Sequence, residues 1–122
     1  MRFVILAALP AAALLASAPA SAAQLGSYND PAPGASSLMR SDFSNAEREI
    51  RGAKVDASDP ARAINLGIAL AKTGRRAEAA EQFRSVLTQE DVEMVVANGE
   101  TVMSHAVAER ALASLQSGVL SR

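Results

Sequence analysis

Two neighbouring segments in the middle of the chain carry the hydrophobic spacing of amphipathic helices. Asp59 can accept free N–H groups at a helix start and the proline after it fits the first turn, so one helix is predicted over residues 60–72. Gly74 ends it. The next helix, predicted over Arg76–Leu87, places apolar residues three and four positions apart along one face. The pattern therefore predicts two helices folded back on each other.

Two further helices are predicted on either side of this pair. Over residues 45–51, Ser44 followed three residues later by Glu47 matches a capping box. This helix has few apolar residues and must dock on another element. The last helix, over residues 105–116, can be capped by Ser104 and carries a stripe of valine, alanine and leucine. Both helices are expected to cover the central pair.

Between the central pair and the last helix the hydrophobic period changes. Two β-branched or apolar runs, over residues 92–96 and 100–103, flank Asn98-Gly99. That dipeptide takes the positive φ values of a tight type I′ turn, so the pattern predicts a β-hairpin. The alternative is a continuous helix, in which Asn-Gly would cost about 1.5 kcal/mol relative to alanine.

The N-terminus has the pattern of a secretory signal peptide, predicted over residues 1–23. Arg2 supplies a positive start, "FVILAALPAAALLASA" an apolar middle, and "APASAAQ" small residues suited to cleavage after Ala22 or Ala23. The alternative is a transmembrane anchor, but the strongly apolar part is shorter than the roughly 20 residues that span a bilayer. Residues 24–41, rich in proline, glycine and serine, predict a flexible linker.

The central helix pair resembles a tetratricopeptide repeat, a unit of about 34 residues whose helices interlock small and large side chains. The positions that carry the resemblance are Asn65, Leu66, Gly67, Leu70, Gly74, Glu78, Ala79 and Phe83. Gly67 and Ala79 would let the helices approach closely, while Phe83 and two leucines would fill the space around them. The chain departs from the family at Ala63, where a large residue is frequent, and at Asp91, where many repeats have proline.

The resemblance implies a mainly α fold in which one repeat is closed by substitute neighbours. The folded domain is predicted over residues 42–118, with the TPR-like repeat at about 60–91, the β-hairpin at about 92–103 and a capping helix at about 104–117. Repeats of this type bury their apolar faces against neighbours and usually need about three or more units. We therefore expect the short N-terminal helix to pack before the repeat and the C-terminal helix after it.

Composition and charge exclude several classes of partner. The chain has no cysteine, so disulfides cannot stabilise it although an exported protein would meet an oxidising compartment. Lys and Arg number 12 against 13 Asp and Glu, a net charge of −1, and removal of Arg2 with the leader makes the charge more negative. This balance argues against nucleic acid and anionic membranes, which need clustered positive charge. No membrane span is predicted in the mature chain.

The inventory of catalytic and metal-binding side chains is small. His105 is the only histidine, and it would diverge from Ser104 on a helix, whereas a triad needs the base held beside the nucleophile. A transition-metal site would need several His or Cys ligands. Glu90, Asp91 and Glu93 lack the alternating loop of a calcium site and are interpreted as solvated charges or helix caps. We therefore predict no enzymatic activity, metal or cofactor.

The resemblance implies protein–protein recognition, with the partner in the groove formed by the first helices of repeats. Carried over by position, the groove face comprises Ala61, Ile64, Ile68, Ala71 and Lys72. The alternative is that its isoleucines are buried under the flanking helices. The predicted function is an exported module, periplasmic or secreted, that docks a segment of a partner protein on its helical face or hairpin edge.

Two other functions stay open. Copies of the chain could stack through their incomplete repeat ends as a structural homo-oligomer, a state that light scattering distinguishes from a monomer. A small hydrolase or ligand-binding enzyme would instead need a polar pocket beneath the domain.

Overall fold

The computed structural model describes residues 5–6 and 32–121 of the 122-residue chain. In this part the protein forms five helices, α1 (Ala35–Met39), α2 (Phe43–Gly52), α3 (Pro60–Lys72), α4 (Arg76–Leu87) and α5 (Ser104–Gln116). Its strands, β1 (Ile5–Leu6), β2 (Glu93–Val96) and β3 (Thr101–Met103), form one sheet in the order β1-β2-β3. The predicted mainly α fold with a small antiparallel hairpin is confirmed.

Helix α3 lies at the centre of the core. Ten of its 13 residues are buried, and it contacts the other four helices and β1. A helix that is apolar around most of its circumference is expected to be surrounded in this way. It begins where the sequence predicted, since Asp59 Oδ1 accepts the N–H of Ala61 at 3.0 Å.

The turn between α3 and α4 has the hydrogen bonds of a Schellman motif. Gly74 has a φ of 85°, a left-handed conformation that costs glycine little. The N–H of Arg75 donates to the carbonyl of Leu70 at 2.8 Å, and that of Gly74 donates to Ala71 at 3.2 Å. The motif ends α3 at the predicted break and lets α4 fold back against it.

Helices α3 and α4 interlock at Gly67 and Phe83. A Cβ atom added at Gly67 would lie 2.8 Å from Cζ of Phe83, too close for any real contact. The Phe83 ring is fully buried, and Leu66, Leu70 and Ala79 belong to the same core. The residues that sequence reasoning chose for the helix interface therefore do lie together, while membership of the repeat family stays a prediction.

The N-terminal flank differs from the linker predicted over residues 24–41, because its end is folded. Gly34, with a φ of 77°, precedes α1, and a Cβ atom there would lie 2.6 Å from Cγ1 of Ile50. Leu38 of α1 is buried in the core. The glycine taken as a sign of flexibility instead provides a left-handed turn and close packing against α2. Residues 24–31 lie outside the described part.

A polar cluster fixes α1 against α2. Ser37 is fully buried, and its Oγ donates to Oε2 of Glu49 at 2.9 Å while accepting from Nδ2 of Asn45 at 2.9 Å. The same amide nitrogen donates to Oε1 of Glu49 at 2.7 Å. These bonds satisfy the buried hydroxyl, which would otherwise be costly to remove from water.

Helix α2 begins earlier than predicted and uses a different cap. Asp42 is its N-cap residue, and Oδ1 accepts the N–H of Asn45 at 3.2 Å. The capping box predicted at Ser44 and Glu47 is wrong, because the Glu47 carboxylate contacts Arg51 at 3.0 Å and Arg75 at 2.7 Å instead. An earlier aspartate was available, and a carboxylate caps at least as well as a hydroxyl.

The hairpin is confirmed, but its turn is not the predicted type I′. The N–H of Gly99 donates to Val96 at 2.8 Å and that of Val96 donates to Glu100 at 2.9 Å. Of these loop residues only Gly99 has a positive φ, 84°. This is a three-residue loop in which a type I turn is followed by a left-handed glycine. Asn98 does not have the positive φ that a type I′ turn needs, and its Oδ1 accepts the N–H of Glu100 at 2.9 Å.

Helix α5 covers the far side of the core. It packs on α4 and α3, burying Ala108, Ala111 and Leu115. After the helix, Gly118 has a φ of 76° and Leu120 is fully buried. The C-terminal cover predicted to follow the central helix pair is thus present.

Within the predicted signal peptide, residues 1–23, the structure describes only Ile5 and Leu6. They form β1, which pairs in parallel with β2. The remainder of that prediction lies outside the described residues.

Candidate interaction surface

The predicted groove face is covered in this structure. Ala61, Ile64 and Ala71 are fully buried and Ile68 is 7% exposed, whereas Lys72 is half-buried at the end of α3. Helices α1 and α2 and strand β1 all contact α3. Of the five predicted contact residues, only Lys72 therefore reaches the surface.

Arg75 and Arg76, the two arginines that follow α3, make their contacts within the domain. Arg75 donates to Glu78 at 2.5 Å and to Glu47 at 2.7 Å. The hydrogen bond to Glu78, followed by that to Glu47, raises the pKa of Arg75, and the same bond lowers the pKa of Glu78. Arg76 donates to the carbonyl of Leu115 at 2.5 Å. These contacts link α2, α4 and α5 at the surface, where ion pairs add little to stability.

Strand β2 offers main-chain groups on the side away from β3. The N–H of Val96 donates to Glu100 at 2.9 Å, and the carbonyl of Val92 accepts from Ser104 at 2.8 Å, so both residues point their polar groups toward β3. Because these groups alternate along an antiparallel strand, the N–H and C=O of Val95 point to the opposite edge. This opposite edge, formed by Glu93 and Val95, is called the β2 edge below.

Strand β1 lies on the β2 edge. Ile5 is in register with Val95 and Leu6 with Val96, and β1 also contacts α3. The sequence suggested two docking surfaces, the hairpin edge and a groove on α3. Strand β1 contacts both of these elements.

The side chains of β2 separate into an inner and an outer set. Met94 is fully buried and Val96 packs partly buried against the core. Val95 is half-buried and Glu93 is exposed on the other face. The strand is therefore anchored by its inner side chains, while pairing along the β2 edge depends on the main chain.

A carboxylate cap ties the start of β2 to the start of α5. Asp91 Oδ1 accepts the N–H of His105 at 2.9 Å and the hydroxyl of Ser104 at 3.1 Å. The hydrogen bond from the His105 backbone, the largest effect, lowers the pKa of Asp91. Ser104 Oγ also accepts the N–H of Val92 at 3.0 Å. Asp91 thus provides the cap that we predicted from Ser104, and Ser104 itself is buried.

The single histidine makes a structural contact. His105 is half-buried, and Nε2 lies 2.8 Å from the carbonyl oxygen of Gln89, so its ring faces the loop before β2 and not Ser104 Oγ. Among residues 5–6 and 32–121, no group of three or more His, Cys, Asp or Glu side chains is arranged to hold a metal ion. The helices of that part are all too short or too polar to cross a membrane.

Sequence reasoning missed how the β2 edge is occupied. The run "FVIL" has the aliphatic and β-branched residues of a strand, but the same residues fit a leader, and the leader was the stronger pattern. Strand pairing between remote segments uses main-chain groups, so side-chain periodicity contains no signal for it. The β-branched run over residues 92–96 was the available indication of the accepting strand.

Comparison with known proteins identifies no relative. No family model, no curated protein and no solved structure matches this chain. The resemblance to tetratricopeptide repeats therefore stays a prediction, and the function has to be argued from the geometry of the molecule.

Proposed function

We propose that the protein is a non-enzymatic interaction module, exported to the periplasm or the medium, that docks an extended segment of a partner protein on the β2 edge. The observation that carries this proposal is the strand β1, a remote segment of the chain that pairs in parallel with Val95 and Val96. An edge that holds one strand has the hydrogen-bonding groups to hold another.

The helical face is the weaker of the two predicted docking surfaces. Four of its five residues are buried, and a partner would have to open the core around α3 to contact them. The β2 edge requires only that one short strand be exchanged for another. The geometry therefore favours recognition of a polypeptide main chain over recognition by a helical groove.

Site-specific photocrosslinking in the source cells tests the proposal. A photoreactive amino acid replaces Glu93, which is exposed beside the β2 edge, and in a matched control replaces Glu109, which is exposed on α5. Position 93 is expected to give an adduct with a different polypeptide outside the cytoplasm, and position 109 is not.

The mass of the adduct distinguishes the alternatives. An adduct of twice the chain mass would identify a second copy and favour the structural homo-oligomer. Absence of any adduct from position 93, with intact folded protein in the exported fraction, would contradict docking at the β2 edge.

A further inference from the structure

We propose that Ile5–Leu6 is an internal occupant of a peptide-binding site, and that the ligand of the exported chain is an extended aliphatic segment bound parallel to β2. The inference rests on the proposed function. It specifies the class of ligand and the way in which access of the ligand to the site is regulated. Before the leader is removed the site is closed by the chain's own segment, and afterwards it is open to a partner.

The backbone register explains why one segment can replace another. Ile5 aligns with Val95 and Leu6 with Val96. Since the polar groups of Val95 point outward, this register brings the N–H of Leu6 to the C=O of Val95. The contact uses no side chain of the incoming strand. Any extended segment without proline at this point has the groups to form it.

The surroundings of the site select aliphatic ligands. Helix α3 contacts the bound segment, and none of its ten buried residues is charged. On the strand side, Met94 is fully buried and Val96 partly buried against the same core. A charged side chain placed between α3 and β2 would lose its hydration and would meet no opposite charge among these buried residues.

The acidic residues near the start of β2 favour a ligand with a basic residue at its N-terminal end. A strand parallel to β2 brings its N-terminal end to the start of β2, where Glu90 and Glu93 are exposed. A basic residue just before the aliphatic segment is therefore complementary to these carboxylates. The chain's own segment follows this order, with Arg2 before "FVIL" in the sequence.

Covalent attachment makes the internal segment a strong competitor. A tethered segment acts at an effective concentration on the order of millimolar, which a free ligand must exceed to displace it. Cleavage of the predicted leader would remove the competitor together with its tether. Binding is thereby coupled to export, because a partner segment met before cleavage would find the site filled.

Amide hydrogen exchange on the full chain tests the occupant directly. Leu6→Pro removes the N–H that donates to the C=O of Val95 and so loosens β1 from the β2 edge. The Val95 amide, which points to the same edge, should then exchange about tenfold faster, or more, than in the unaltered chain. The amides of Met94 and Val96 point toward β3 and provide an internal control that should not change. If Val95 exchanges at the same rate in both chains, the proposal is wrong.

A peptide added in trans tests the ligand class. The probe is a synthetic peptide of residues 2–8, Arg-Phe-Val-Ile-Leu-Ala-Ala, titrated into the full-length Leu6→Pro chain. It should restore slow exchange at Val95 saturably, a control peptide with proline at its leucine should not, and replacing its arginine with glutamate should weaken binding at low salt. Failure of the first peptide to restore exchange would overturn the proposal.

A second pair of variants covers the case in which Leu6→Pro does not fold. Val95→Pro removes the outward N–H of β2, which loosens β1 and should speed exchange of the Leu6 amide. Thr101→Pro removes an outward N–H on the opposite edge of the hairpin and should leave Leu6 exchange unchanged. Equal effects of both variants on Leu6 would overturn the proposal. So would Val95 protection that rises with protein concentration, which would assign the strand to a second copy.

These results separate the inference from the proposed function. If Val95 and the peptide behave as expected while position 93 gives no adduct in cells, the peptide site stands and the docking function fails. If position 93 gives a partner adduct while Leu6→Pro leaves Val95 exchange unchanged, the docking function stands and the internal occupant is wrong.

Discussion

The α3–α4 helix pair and the β2 edge are held together by different kinds of contact. The helix pair depends on shape, since the fully buried Phe83 ring occupies the space that a side chain at Gly67 would need. The β2 edge depends on main-chain groups, which every residue except proline provides. The first arrangement tolerates little change and fixes the fold, whereas the second places few demands on the sequence of the paired strand, as the proposed docking function requires.

The largest effect is expected from Phe83→Ala. Removing a fully buried ring leaves a cavity at the helix interface, and the free energy of unfolding should fall by about 3–5 kcal/mol in denaturant titrations. Phe43→Ala, at a half-buried position, is the matched control and should cost less. Equal losses for the two variants would show that the interlock of α3 and α4 is not the main support of the core.

Substitutions at two neighbouring positions of β2 test whether the strand is held by its side chains or by its main chain. Met94→Ala removes a fully buried side chain and should lower the free energy of unfolding by about 2–5 kcal/mol. Val95→Ala keeps the main chain of the β2 edge and should cost under about 1 kcal/mol. Chemical denaturation measures both. A Val95 loss as large as that of Met94 would mean that side chains, and not the main chain, hold this edge.

Gly67→Ala tests the close approach of the helices. Its Cβ atom would overlap the Phe83 ring, so the variant should lose about 1–3 kcal/mol in the free energy of unfolding. Gly52→Ala is the control, because a Cβ atom there has nothing within 4 Å, and its effect should be small. With Phe83→Ala in the background the Gly67→Ala penalty should largely vanish. Strictly additive losses would contradict direct overlap.

The Asp91 cap predicts a loss of stability in acid. Its pKa is lowered below the ordinary value of 3.8, so its stabilisation is complete above that value and is lost as pH falls through the lowered folded-state pKa. Asp91→Asn should lower the melting temperature at neutral pH and weaken the decline in acid, while Glu90→Gln should change neither. Parallel acid profiles for Asp91→Asn and the parent chain would exclude this role.

The smallest effect is expected at Ser41, the residue between α1 and α2. Its φ of 60° is left-handed, a conformation that costs a residue with a side chain about 1–2 kcal/mol. Ser41→Gly removes this strain but adds freedom to the unfolded chain, so a net gain below about 1 kcal/mol is expected in thermal unfolding. Destabilisation would mean that the serine side chain compensates for the strain.

Local sequence signals located the helix pair well. Asp59 and the following proline, with Gly74, mark the ends of α3 through interactions within a few residues, and these do not depend on the remainder of the fold. The short helix α1 was missed because it is stabilised by burial of Leu38 in the core and by the hydrogen bonds of the buried Ser37, and no local pattern reveals either contact. At the start of α2 both Asp42 and Ser44 could act as the cap, and at Asn98-Gly99 more than one turn type was possible. The sequence alone did not favour the cap or the turn that formed.

The candidate site was only partly predictable. A hairpin with an available edge followed from the β-branched runs over residues 92–96 and 100–103. Its occupant did not, because an edge accepts remote strands through groups that all residues share. Burial of the Ile64 and Ile68 face depends on which elements surround α3, and this was an open alternative until the fold was known.

Native-state hydrogen exchange with increasing denaturant tests most directly whether β1 can leave the β2 edge while the helical core stays folded. The amide of Phe83 is expected to exchange only through global unfolding, with the full denaturant dependence of the transition. The amide of Val95 is expected to exchange through a smaller opening that releases β1, with a lower free energy and little denaturant dependence. If both amides give the same free energy and the same dependence, edge and core open as one unit and the account is contradicted.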